Sequence, residues 1–125
     1  MNGVTLDAGA LIALDRGDRR MLVLLARAAQ VGATITVPAT ALAQAVRRPR
    51  TQVALSRLVR QPTTDVRALD RLDATHVGVL LAASRTNDIA DAHVVVCARR
   101  AGQSIATTDP DDLRKLDPGA ALVVL

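Results

Sequence analysis

The spacing of apolar positions changes repeatedly along the chain, and each change predicts an element. "GVTLD" (3–7) is a short β-branched run that reads as a strand. "AGALIALD" (8–15) reads as a turn or two of helix. In "DRRMLVLLARAAQVG" (18–32), Met21, Leu22, Leu24, Leu25 and Ala28 recur at helical spacing, and Gly32 is a stop. "ATITVP" (33–38) is β-branched and closes on a proline, which predicts a second strand. Helices follow over 38–48, with Pro38 in the first turn, and over 50–61, separated by Pro49 and closed by Pro62. "TTDVRAL" (63–69) is a weak strand. Helices over 70–85 and 88–102 open on Asp70 and on Asn87 or Asp88 as caps, and Gly102 ends the second. A strand over 103–109, a short helix over 110–117 opening on Pro110, and a strand over 120–125 complete the pattern.

Strands that alternate with helices predict an α/β fold: a three-layer α/β/α sandwich around a central parallel sheet. With 125 residues the whole of 1–125 reads as a single domain with a sizeable core. No repeat or linker interrupts it. In such sheets the functional site lies outside the carboxyl ends of the strands, where the strand order reverses.

Composition narrows the functional classes. Half of the residues are apolar, which argues against disorder. No apolar run reaches the ~18–20 residues of a membrane span, and the N-terminus lacks the features of a signal peptide. The lone Cys97 excludes a disulfide framework. A soluble, cytoplasmic protein is therefore expected, with no membrane partner. All 12 acids are Asp, and 15 of the 16 bases are Arg, Lys115 being the exception. A net charge of +4 and a pI near 10.9 favour a polyanionic partner. The absence of Phe, Tyr and Trp weakens any RRM or OB-fold reading, since those modules stack bases on aromatic rings, and a nucleic acid would be held mainly through its phosphates.

The carboxylates carry the chemistry. Asp7 and Asp109 each follow a β-branched run and precede a helix start, which places both at carboxyl ends of parallel strands. Asp88 and Asp91 are three apart at a helix start and so share a face of its first turn. Four carboxylates at one sheet end repel unless a cation lies among them, and oxygen ligands select Mg²⁺, with Mn²⁺ as substitute. Asp7 is the hardest to read as a simple cap, because apolar residues flank it and a buried unpaired carboxylate is costly. A helix N-terminus, an arginine or a metal ion would compensate it. Asp111, Asp112 and Asp117 read as solvated or capping, and Asp15, Asp18, Asp65, Asp70 and Asp73 as surface or caps.

"TLDAGALIAL", "VPATALAQAV", "DIADAHVVVCARRAG" and "IATTDPDDLRKL", in this order, resemble a PIN domain and, more narrowly, the VapC-type ribonuclease toxins of bacterial toxin–antitoxin pairs. The resemblance covers nearly the whole chain. It implies a Mg²⁺-dependent endoribonuclease, RNA as substrate, a VapB-type antitoxin as partner and a homodimer. Asp7 matches the family's first acid, Asp91 the third and Asp109 the fourth, all three as metal ligands. Asp88 matches an additional acid, and Thr107 the hydroxyl residue two before the last acid. The second acid is absent: Gln44 stands in its place, and an amide supplies neither negative charge nor a base.

Arg47, Arg48 and Arg50 around Pro49, with Arg57 and Arg60 beyond, form a candidate RNA-backbone track. Arg99 and Arg100 read as surface. His76 and His93 lie within helices and show no zinc-type spacing with Cys97, which reads as a small buried residue. His93 is expected at the core edge or against a partner, and the Met21/Leu22/Leu25 stripe in the core. Three functions fit: an active ribonuclease toxin; a PIN-fold protein whose Gln44 weakens catalysis, binding RNA or antitoxin without efficient turnover; and a receiver-like phosphate-binding module, disfavoured because Lys115 lies in a helix rather than near the last strand.

Overall fold

The computed structural model describes residues 2–125. Five strands, β1 (Gly3–Leu6), β2 (Thr34–Pro38), β3 (Thr64–Arg67), β4 (Ser104–Thr107) and β5 (Leu122–Val124), alternate with seven helices. These are α1 (Ala8–Asp15), α2 (Arg19–Gln30), α3 (Ala39–Ala45), α4 (Val53–Arg60), α5 (Arg71–Ser84), α6 (Ile89–Ala101) and α7 (Pro110–Leu116). Every predicted element is present, with ends differing by no more than three residues.

All strand pairs are parallel, and the sheet order is β3-β2-β1-β4-β5. The chain winds outward from β1 through β2 to β3, then crosses back to β4 beside β1. The order therefore reverses between β1 and β4. A receiver-like sheet runs 2-1-3-4-5, so the observed order excludes that reading. Right-handed crossovers place α1, α2 and α4 on one face and α5, α6 and α7 on the other. The helix contacts follow this division, with α3 bridging α1 and α6 at the carboxyl edge of the sheet.

The local chemistry accounts for the boundaries. β1 is buried along its whole length, as expected of a central strand covered on both faces. α6 is the core helix: Ala90 and then every residue from Ala92 to Ala98 is buried, which its apolar run "AHVVVCA" requires. Asp70, Asp88 and Asp18 each cap a helix by accepting from backbone N–H groups of its first turn. Gly102 terminates α6 at φ 63, a left-handed conformation in which glycine carries no Cβ penalty. α3 stops at Ala45, short of the predicted 48, because of Gln52. Its buried amide donates to the Ala45 carbonyl (2.9 Å) and its Oε1 accepts from Arg47 N (2.9 Å) and Arg48 N (3.0 Å). Those bonds hold residues 46–52 in a compact loop.

Three expectations are corrected. Leu22 is 48% exposed; only Met21 of its stripe is fully buried. His93 lies in the core itself rather than at its edge, with no solvent exposure. Asp73 is buried too, not at the surface, and it recruits Arg100. The His93 Nε2 lies 3.2 Å from Asp73 Oδ2, while Arg100 Nη2 meets Asp73 Oδ1. On the other side of the ring, Nδ1 lies 2.8 Å from Thr40 Oγ1. The chain Thr40–His93–Asp73–Arg100 thus ties α3, α6 and α5 together. Burial alone would raise the Asp73 carboxyl, but hydrogen bonds from Arg100 and His93 override it and hold it below its ordinary range.

Removing one member of a buried charged network leaves its partners uncompensated. Asp73→Ala is expected to cost about 2–3 kcal/mol in urea unfolding. Asp65→Ala, which breaks an exposed 3.8 Å pair with Arg67, is expected to cost less than about 0.5 kcal/mol.

Candidate functional site

The reversal point brings the carboxylates together. Asp7 follows β1 and Asp109 lies two residues beyond β4, so both reach the crevice between adjacent strand ends. Asp88 and Asp91 come from the first turn of α6, which packs across β1 and β4. Asp112, on α7, joins them and was not expected from the sequence; its proximity raises the Asp109 carboxyl. The signal existed: Asp109 and Asp112 repeat the three-residue spacing of Asp88 and Asp91 at a helix start.

Asp7 is 4% exposed, and its Oδ1 accepts from Ala10 N at 2.8 Å, so the α1 N-terminus supplies part of its compensation. Burial raises its pKa all the same, against the Thr107 and Ala10 hydrogen bonds, with Asp109 adding repulsion. Thr107 is fully buried between the two acids. Its hydroxyl serves Asp7, and its Oγ1 accepts from Asp109 N at 2.9 Å. Asp91 is affected most. Burial, then the charges of Asp88, Asp7, Asp112 and Asp109, push its carboxyl up to about 7. Asp109 is raised by the nearby Asp112 and by burial. Gly9 belongs to this design: a Cβ there would collide with Thr108 Oγ1 and lie 3.4 Å from Asp7 Oδ1.

No arginine or lysine among the described residues pairs with Asp7, Asp88, Asp91 or Asp109; Lys115 approaches only Asp112, at 3.6 Å. Carboxylate oxygens with a hydroxyl, and with no thiol or imidazole, have the donor chemistry that suits a hard divalent cation; the oxygens of these acids do not all come within 4.8 Å of one another, as the ligand atoms of the core group described below do.

Gln44 is exposed and shares a groove with Thr40, Asn87 and Asp88 at the rim of the cluster. It makes no hydrogen bond to any acid. Arg47, Arg48 and Arg50 lie three to six residues beyond it, all exposed. Arg47 Nη1 donates to the carbonyls of Ala43 (2.9 Å) and Val46 (2.7 Å), closing the end of α3. Arg48 and Arg50 carry no such engagement.

A second cluster assembles in the core, where the sequence showed no metal spacing. Ligand atoms of Asp73, His93 and Cys97 lie within 4.8 Å of one another. It does not suit a metal. Both ring nitrogens of His93 are engaged, Arg100 already compensates Asp73, and burial raises the Cys97 thiol to about 11, leaving it protonated.

No family model matches the chain, and no curated protein does. Among solved structures the chain is similar to VapBC2 from Rickettsia felis, crystallised bound to a DNA fragment from their promoter. The TM-score is 0.69 at 13% identity, over 98% of each chain. At that identity the likeness is one of fold, and the PIN-like α/β architecture read from the sequence is the one observed. No helix among the described residues is long and apolar enough to cross a membrane.

The raised Asp91 carboxyl sets a pH dependence. The unfolded chain loses that proton near 3.8, the folded one near 7, so the folded state is favoured below that window and loses stability as pH rises through it. In EDTA, the melting temperature is expected to fall between pH 4.5 and 7.5. Asp91→Asn should flatten that slope and raise apo stability at pH 7.5 by about 1 kcal/mol, or about 4 °C. A wild-type profile as flat as the variant's would contradict the assignment.

Proposed function

We propose that the protein is a metal-dependent endoribonuclease and the toxin component of a toxin–antitoxin pair. The observation that carries this reading is that Asp7, Asp91 and Asp109 meet at the β1–β4 reversal point with no arginine or lysine paired to them among the described residues. Support also comes from the shared fold with VapBC2 and from the net charge of +4. A cytoplasmic location and a VapB-type antitoxin belong to the same proposal. So does a homodimer, for which the exposed Leu22, Val23, Leu72 and Val79 offer apolar surface.

In this reading Asp7, Asp91 and Asp109 hold Mg²⁺, or Mn²⁺ in its place. When bound, such an ion lowers the pKa of a coordinated water and stabilises charge on a phosphate under in-line attack. The chain's own residues prepare the site. The Thr107 hydroxyl and the Asp109 N–H fix the two strand-end acids relative to each other. The Ala10 N–H orients the Asp7 carboxylate through Oδ1. Asp88 Oδ1 accepts from Asp91 N at 3.0 Å, which ties the two acids of α6 together. Arg48 and Arg50, with the remaining guanidinium nitrogens of Arg47, grip phosphates along the strand.

A second reading, in which catalysis is weakened, rests on Gln44. Its amide holds no acid in place, so the position lacks both the charge of a carboxylate and a compensating structural role. Gln44→Glu is expected to tighten Mn²⁺ binding about tenfold, equivalent to about 1.4 kcal/mol, and to raise cleavage of a labelled RNA. Weaker binding by the glutamate variant in calorimetric titration would show instead that the amide is adapted to the site. Millimolar Mn²⁺ should also raise the melting temperature of the wild type but not of Asp7→Asn. Equal melting of the wild type in EDTA and in Mn²⁺ would sink the metal reading.

A further inference from the structure

The Thr40 hydroxyl stands where the buried hydrogen-bonded chain meets solvent. Thr40 is half-buried and lines an open groove of about 510 Å³ together with Gln44, Asn87, Asp88 and Ile89. Of the acids, Asp88 lines this groove. Gln44 and Asn87 are exposed, and neither side chain has a hydrogen-bond partner among the described residues. Ile89 is 53% exposed and gives the groove an apolar element.

The chain behind Thr40 fixes the direction of its hydrogen bond. Asp73 Oδ2 is a carboxylate oxygen and accepts, so His93 Nε2 carries the proton that faces it. In the neutral ring, Nδ1 is then a bare acceptor, and the Thr40 hydroxyl must donate to it across 2.8 Å. The Thr40 oxygen is left with lone pairs and no proton for any other partner. A hydroxyl that ordinarily rotates between donor and acceptor roles is thereby made an acceptor. Whatever it meets must bring a hydrogen.

We propose that Thr40, oriented by His93 and Asp73, accepts a hydrogen bond from a ribose 2′-hydroxyl of a single strand lying in this groove, and so favours RNA over DNA beside the acid cluster. This rests on the ribonuclease reading above and deepens it. Thr40 and Asp88 line the same groove, so a strand with a phosphate near Asp88 would lay an adjoining sugar along it. The 2′-hydroxyl is the donor by which a protein distinguishes the two nucleic acids. A deoxyribose offers a C–H there and leaves the Thr40 oxygen without its hydrogen. His93 and Asp73 are positioning residues: they touch no substrate and act through the hydroxyl they orient.

Anisotropy of 5′-labelled single-stranded octanucleotides tests this at pH 8, with Ca²⁺ supplied for the carboxylate site. RNA, DNA and 2′-O-methyl RNA of one sequence are compared. Wild type is expected to bind the RNA about three- to tenfold more tightly than either of the others, the value of one hydrogen bond. Thr40→Val should reduce that ratio to near one while DNA affinity changes less than twofold, and Thr40→Ser should retain it. A wild-type ratio near one overturns the inference without reference to any variant's folding. So does a Thr40→Val protein that keeps the wild-type ratio. Failure of the wild type to bind any of the three strands overturns the nucleic-acid reading itself, and this inference with it.

Discussion

Repulsion among carboxylates confined at one end of the sheet is the constraint around which this structure is arranged. The strand order reverses between β1 and β4, so the residues following those two strands face one crevice. Both are aspartates, and three more from α6 and α7 close on the same space. Asp88, Asp7, Asp112 and Asp109 all raise Asp91, and none of the five acids pairs with an arginine among the described residues. The chain has 15 arginines available, so the shortage is one of placement rather than supply. Local devices relieve part of the strain: the α1 N-terminus for Asp7, the Thr107 hydroxyl between the strand-end acids, and a retained proton for Asp91 up to about pH 7. A divalent cation, in the proposed reading, would relieve the rest, and its loading would then be linked to stability.

Such a cluster needs rigid support, because small displacements change its Coulomb energy steeply. The support comes from the second buried polar system. Asp73 and His93 carry opposite logic to the acids in front of them. Asp73 has both a cation and a ring N–H, and is held below its ordinary pKa rather than above it. Its contribution to stability is present above about pH 4 and lost in stronger acid, whereas that of Asp91 declines between about 4 and 7. The two act in adjoining windows, so the metal-free protein is best stabilised near their junction. His93 is two residues past Asp91 on α6, so the bonds that fix the ring also fix the helix turn bearing the acid.

Much of this was legible in the sequence because its causes are local. β-branched runs, the capping aspartates at positions 70 and 88, the left-handed stop at Gly102 and the proline breaks act over a few residues, and each left its mark in the order of letters. Asp7 stood out by its apolar neighbours alone. The misses share a different character. Asp73, His93 and Arg100 look like a cap, a core-edge ring and a surface base when each is read in its own helix. Their pairing exists only once α5 lies against α6, and a charge buried by a partner 27 residues away leaves no periodic trace. Leu22 failed for the same reason in reverse. Its helical spacing was right, but no second layer covers that side of α2. Asp112 was the avoidable miss, since its spacing to Asp109 repeats that of the pair on α6.

Gly9 shows how closely the local and the distant causes are joined. Residue 9 lies in the first turn of α1, where alanine would be the better helix former by about 1 kcal/mol. Glycine stands there because Thr108, from the segment after β4, lies directly over the α1 backbone, where a Cβ would meet its Oγ1. The Thr108 hydroxyl and Asp7 Oδ1 both lie beside the place of that absent Cβ. The helix gives up some of its own propensity next to the crevice that Asp7 and Asp109, 102 residues apart, share.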